Sequence, residues 1–75
     1  MIAPQEIERM ILEALPDAKV EIRDMTGGGD HFEIFVVSKA FTGMTLLEQH
    51  KMIFAALEKE MDRGIHAVQL KTRTP

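Results

Sequence analysis

The hydrophobic pattern is strongest in the stretch Asp30–Val37, where apolar and polar positions alternate. Phe32, Ile34 and Val36 fall on one face at period two, which is typical of a β-strand with one buried face. Phe35 makes the opposite face partly apolar as well. The pattern therefore predicts a central strand that is covered at least partly on both sides.

The segment before this strand predicts a covering helix and a partner strand. Its apolar residues recur at helical spacing after Pro4 and before Pro16, which favour a helix start and a helix end. These residues are Ile7, Met10, Ile11, Ala14 and Leu15. Val20 and Ile22 then alternate with charged residues, as in a half-exposed strand.

The loop between these two strands, Asp24–Asp30, contains the consecutive glycines Gly27, Gly28 and Gly29. A flexible hairpin tip explains them, and so does a loop kept small so that another backbone, a metal or a cluster can approach. The loop is not a phosphate-binding loop, because it lacks the Lys-Ser/Thr ending and the following helix.

The second half of the chain predicts a helix and a last strand. Thr45 and Glu48 form a capping-box pair, and apolar residues recur at helical spacing from there to Met61. A break near His50 would divide this segment into two short helices, and the periodicity leaves both arrangements open. Alternation resumes over Ile65–Arg73, which predicts the last strand.

These elements predict an α+β domain that spans residues 1–75. Ser38–Gly43 turns the chain after the central strand, with Phe41 as its large apolar anchor. A strand–helix–strand return within one sheet is normally a right-handed crossover onto a parallel strand. We therefore expect a three-stranded mixed sheet with the helices packed on one face.

Composition narrows the function classes. The chain has no cysteine, a net charge of −3 and a pI near 5.5, which disfavour thiolate ligands from this chain and a dedicated polyanion binder. No apolar run approaches the ~18 residues of a membrane span, and no signal peptide pattern begins the chain. A cytoplasmic protein that does not bind membranes is the expectation.

Two histidines are the main candidates for chemistry. His31 begins the central strand directly after the glycine loop, and His66 begins the last strand. If the strands are parallel, both starts lie at the same edge of the sheet, ~5 Å apart as neighbours and ~10 Å with one strand between. Two imidazoles there would ligate a metal or a cluster, whereas each alone is explained by hydrogen bonds to backbone. His50 is assigned a structural role in its helix, and no nucleophile–base pair supports catalysis.

The chain resembles the BolA family in the order and spacing of several motifs over nearly its whole length. These are His31-Phe32 to Val36-Val37-Ser38, Phe41-x-Gly43, Gln49-His50-Lys51, Ile65-His66-Ala67 and Lys71-Thr72-Arg73-Thr74-Pro75. The resemblance implies an αββααβ fold related to the second type of KH domain. Relatives often have Arg-His-Arg where this chain has Gln49-His50-Lys51, so a basic surface there is reduced.

The resemblance also implies a non-enzymatic partner of monothiol glutaredoxins that binds a bridging [2Fe–2S] cluster in cluster assembly, trafficking or iron homeostasis. The glutaredoxin supplies its cysteine and a bound glutathione, and the isolated protein holds no cofactor. His66 matches the family's histidine ligand. The second ligand is expected from the loop, where His31 is the better candidate and Asp30 a weaker oxygen donor beside Gly27, Gly28 and Gly29.

Two other functions stay open. KH-like domains bind single-stranded nucleic acids and some BolA-like proteins are transcriptional regulators, but the residues from Phe41 to Thr45 lack a Gly-x-x-Gly loop with basic flanks. A histidine-based sensor of zinc or pH would use His31 and His66 without a glutaredoxin.

Overall fold

The computed structural model describes residues 2–28, 31–58 and 67–75. The elements are α1 (Pro4–Ala14), β1 (Lys19–Asp24), β2 (His31–Val37), a short 3₁₀ helix (Lys39–Phe41), α2 (Leu46–Ala56) and β3 (Ala67–Arg73). The predicted α+β class and the order helix, strand, strand, helix, strand are confirmed. None of the described helices is long and apolar enough to cross a bilayer.

The three strands form one mixed sheet with β2 in the centre. β1 pairs antiparallel with β2, and β3 pairs parallel with β2, as predicted from the connections. The register places Ile22 opposite Ile34 and Ile34 opposite Leu70. Because residues in one register row share a face, these three side chains point to the same side of the sheet.

The hydrophobic core lies on one side of β2. Phe32, Ile34 and Val36 are at most 1% exposed, and they alternate with half-buried neighbours. The core is completed mainly by side chains from the two helices and the turn, namely Ile7, Ile11, Phe41, Ile53 and Leu57. The helices therefore cover one face of the sheet, and the other face is partly exposed.

The structure defines the ends of both helices. α1 ends at Ala14 with Leu15 as its C-cap, so the helix ends before Pro16 as predicted. α2 continues through His50 without interruption, which decides between the two arrangements that the periodicity left open, but it ends at Ala56 with Leu57 as its C-cap, short of the predicted Met61. Residues 59–61 of the predicted helix lie outside the described residues. The αββααβ order implies a second helix between α2 and β3, and residues 59–66 of that segment are also outside the described ranges.

The turn between β2 and α2 agrees with the prediction and adds a 3₁₀ helix. Phe41 is 1% exposed and anchors this turn in the core. Gly43 has a φ of +79°, a left-handed conformation that side chains with a Cβ rarely adopt. The turn is followed by Thr45, the N-cap of α2. The Thr45 hydroxyl accepts a hydrogen bond from the Glu48 N–H, and the Glu48 carboxylate accepts one from the Thr45 N–H.

Candidate functional site

His31 is the first residue of β2 and is half-buried. Its carbonyl oxygen accepts a hydrogen bond from the Met25 N–H at 2.8 Å, which closes the hairpin between β1 and β2. Its Nδ1 atom is shielded from solvent. The backbone of His31 is therefore fixed by strand pairing at the end of the sheet where β2 begins, and not on a free loop.

The loop before His31 has a defined conformation over its described part. The Asp24 carboxylate accepts hydrogen bonds from the N–H groups of Thr26 and Gly27, at 3.3 and 2.9 Å. The Thr26 hydroxyl then accepts from the Gly28 N–H at 3.1 Å. This is an Asx turn followed by a similar turn at threonine. Local hydrogen bonds therefore account for the conformation of the first residues of the loop.

Gly27 keeps space open beside this loop. Its φ is +76°, and no atom of the residues that the structure describes lies within 4 Å of the place that a Cβ would occupy. A side chain at this position would be strained and would project into the open space. The described part of the loop therefore satisfies one requirement of the functional interpretation, which is access for an approaching group.

The strand register determines what faces His31 across the sheet. Ala67, the first residue of β3, is the parallel partner of His31. Residues 29–30 and 59–66 lie outside the described part of the chain, so the predicted roles of Gly29, Asp30 and His66 stay predictions. The meeting of His31 and His66 at one end of the sheet likewise stays a prediction.

The described residues do not complete a metal site by themselves. No group of three His, Cys, Asp or Glu side chains is arranged to hold a metal ion in residues 2–28, 31–58 and 67–75. His31 is the one predicted ligand within those ranges. A metal or cluster at this edge would thus need donors from the rest of the chain or from a second molecule.

His50 lies within α2, and its neighbour Gln49 makes the hydrogen bonds of the Gln49-His50-Lys51 motif. The Nε2 atom of Gln49 donates to the Met44 carbonyl at 3.1 Å, and its Oε1 accepts from the Thr72 hydroxyl at 2.7 Å. His50 lies edge-on to Phe54, with the ring centroids 6.5 Å apart. The motif therefore joins α2 to the preceding turn and to β3.

Ser38 has a structural partner that the sequence pattern did not reveal. Its hydroxyl donates to Asp17 at 2.7 Å, and the other Asp17 carboxylate oxygen accepts from the Lys39 N–H at 2.8 Å. These hydrogen bonds, that from the Lys39 backbone first, lower the pKa of Asp17. Asp17 and Ser38 therefore hold the turn that follows β2.

Comparison with known proteins adds a family match to this geometry. The family model for BolA-like proteins matches residues 11–75. Protein BOLA2 of Arabidopsis thaliana is 42% identical over 77 residues, an alignment that covers all of this chain and 82% of the relative.

Two solved structures share the fold over most of both chains. BolA1 from Arabidopsis thaliana has a TM-score of 0.88 at 28% identity, with 95% of this chain and 89% of that chain covered. A bolA protein homologue from Coxiella burnetii has a TM-score of 0.82 at 34% identity, with 100% and 94% covered.

Proposed function

This chain belongs to the BolA-like family, and from that premise we propose that it is a non-enzymatic adaptor for a monothiol glutaredoxin. The two proteins together bind a bridging [2Fe–2S] cluster, in the cytoplasm, for cluster trafficking or iron homeostasis. The observation that carries the proposal is the position of His31 at a sheet edge, beside an open glycine loop and opposite the start of β3.

His31 and His66 are the proposed nitrogen donors. Ala67 directly follows His66 in the sequence and pairs with His31, and this pairing supports the proposal that both histidines lie at one end of the sheet. Because Nδ1 of His31 is shielded, an approaching iron atom would meet the ring at Nε2. Asp30 is the alternative oxygen donor on the loop.

The remaining donors come from the partner. Iron–sulfur clusters are held mainly by cysteine thiolates, and histidine replaces cysteine at some iron atoms. This chain has no cysteine, and its described residues offer no set of three metal-binding side chains. A cluster shared with the glutaredoxin cysteine and glutathione therefore fits the donors of this chain better than a cluster held by it alone.

Reconstitution of the two proteins with iron, sulfide and glutathione tests the proposal. We expect a heterodimer with visible charge-transfer absorption that neither His31→Ala nor His66→Ala reproduces, because each variant loses one nitrogen donor. His50→Gln is the matched control. It removes the one remaining histidine of the chain, which lies in α2, and leaves His31 and His66 in place. Size-exclusion chromatography and visible circular dichroism measure the assembly and the ligand environment separately.

Two results would contradict this proposal. Unchanged spectra in both alanine variants would remove these histidines from the ligand set. If this protein and the glutaredoxin do not associate at micromolar concentration, either without the cluster or with it, the glutaredoxin is not the partner. A zinc-induced shift of the His31 and His66 imidazole signals in the isolated protein would instead favour the histidine-based sensor.

A further inference from the structure

Three cations gather at the end of the sheet opposite His31. Lys19 begins β1, Arg73 ends β3, and Lys39 begins the 3₁₀ helix after β2. All three are exposed although the chain has a net charge of −3. Ion pairs within the described ranges involve only Arg9 and Arg23, so these three cations have no ion-pair partner there.

The sheet register places two of these cations on either side of an apolar residue. Lys19 pairs with Val37, and Val37 pairs with Arg73, so the three residues form one row across the sheet. Strands are spaced ~4.8 Å apart, which separates the Cα atoms of Lys19 and Arg73 by roughly 10 Å. Val37 is half-buried on the face that the helices leave open, and it forms a floor between the two cations.

The row and the start of the 3₁₀ helix enclose a cleft of about 410 Å³. Its lining consists of Asp17, Lys19, Val37, Lys39, Arg73 and Pro75. Asp17, the acid in this lining, accepts hydrogen bonds from the Ser38 hydroxyl and the Lys39 N–H, which leave its negative charge in place. The lining thus sets three cationic side chains against one carboxylate, so its side chains carry a net positive charge.

Arg73 is held in a defined position beside this cleft. Its guanidinium carbon lies 5.6 Å from the centroid of the Phe35 ring, within the range of a cation–π interaction. A guanidinium that is already ordered loses less freedom when it binds an anion, and its planar N–H groups match the oxygens of a phosphate. Lys19 and Lys39 add ammonium donors around the same space.

The geometry points to a binding site for a small molecule that carries a phosphate group beside an apolar or ring portion. The cations bind the phosphate oxygens, and Val37 and Pro75 contact the apolar portion. The volume lies within the range of ~300–1,000 Å³ that is typical of small-ligand pockets. Val37 lies six positions along β2 from His31, which places this cleft roughly 20 Å from the proposed cluster site.

Phenyl phosphate is the probe that tests this site, with inorganic phosphate as its comparison. Amide NMR shifts of the full chain are followed during titration at constant ionic strength. We expect saturable shifts centred on Val37, Lys39 and Arg73, with tighter binding of phenyl phosphate because only this probe reaches the apolar floor. Lys19→Gln and Arg73→Gln should each weaken binding about tenfold or more, the usual effect of losing a charged hydrogen bond.

Two variants separate the site from general charge effects. Lys51→Gln makes the same charge change on the exposed surface of α2, and it should leave the affinity unchanged. Phe35→Leu keeps an apolar side chain but removes the ring under Arg73, so it should weaken binding while retaining every cation. Amide spectra of the ligand-free variants report whether each remains folded.

Several outcomes would overturn the inference. These are the absence of saturable shifts with phenyl phosphate, equal binding of the two probes, and equal weakening by Lys51→Gln and Arg73→Gln. Saturable binding of a single-stranded oligonucleotide without binding of phenyl phosphate would assign the cations to nucleic acid instead. Because the cluster experiment depends on His31 and His66, failure here leaves the glutaredoxin proposal unaffected.

Discussion

At the residue scale, Asp17 shows how one side chain joins distant parts of the chain. It lies between α1 and β1, yet it caps the 3₁₀ helix that follows β2 through the Ser38 hydroxyl and the Lys39 N–H. The Ser38 hydroxyl in turn accepts from the Ala40 N–H at 3.1 Å. Ser38 is 1% exposed, so this network satisfies a polar group that would be costly to bury alone.

Asp17→Asn should lower the free energy of unfolding at neutral pH. It should also make that free energy depend less on pH in the acid range. The pKa of Asp17 in the folded protein lies below its ordinary value of 3.8, so folding is favoured when the carboxylate is deprotonated. Its contribution is fully present above the unfolded value and is lost as the pH falls through the lowered folded value. Urea denaturation between pH 7 and pH 2 measures this difference.

Glu21→Gln is the control for that experiment, because Glu21 is an exposed carboxylate on β1. It should leave the neutral-pH stability close to that of the original protein. If Asp17→Asn retains the full acid-dependent loss of stability that Asp17 is expected to cause, another carboxylate is responsible.

At the element scale, α2 is defined by interactions at its first turn. Thr45 and Glu48 form both hydrogen bonds of the capping box, as their spacing predicts. Gln49 then connects the same turn to the Met44 carbonyl and to Thr72 on β3. Local sequence therefore sets where the helix begins, and a long-range hydrogen bond sets where that end lies on the sheet.

Thr45→Ala should destabilise the protein by about 1 kcal/mol, the usual cost of losing a hydroxyl N-cap. Thr45→Ser retains an oxygen that accepts from the Glu48 N–H, and it should retain most of the stability. Thermal and urea denaturation of the two variants provide the comparison. Equal stability of the alanine and serine variants would show that the cap contributes little.

Thr72→Val tests the connection between α2 and β3. The substitution keeps the shape but removes the donor to Gln49 Oε1, and we expect a loss of about 1 kcal/mol. Faster amide hydrogen exchange should be concentrated in the first turn of α2. Thr74→Val, at an exposed position after β3, is the matched control and should change neither quantity.

At the scale of the whole molecule, the fold depends on β2 as the shared partner of both other strands and of the helices. Ile34 is fully buried in the middle of β2, with Ile22 and Leu70 beside it in the register. A domain of 75 residues has a total stability of roughly 4–11 kcal/mol. The core around Ile34 is therefore a large part of what keeps the protein folded.

Ile34→Ala should cost about 2–5 kcal/mol and leave a substantial unfolded population at 37 °C. Ile22→Ala removes the same atoms from a half-buried position on the edge strand β1, so it should cost less. Chemical denaturation at 25 °C compares the two variants. Equal losses would contradict the central position of β2 in the core.

The elements themselves were predictable because hydrophobic period and capping are local properties. The alternation of Phe32, Ile34 and Val36 indicated the central strand, and Thr45 with Glu48 indicated the start of α2. The left-handed conformation of Gly43 agrees with the turn expected there. For the candidate site, the pattern placed His31 at a strand start beside the glycine loop, where the structure also has it.

The sequence by itself determined the class of fold, the faces of its strands and the absence of cysteine thiolates from this chain, because these follow from periodicity and composition. Only the tertiary structure decided that Asp17 caps the turn at Ser38 and that Lys19 and Arg73 flank Val37. These residues are far apart in the chain, and their meeting depends on strand order and register. Such contacts leave no periodic signal, since each side chain alone is typical of an exposed polar position.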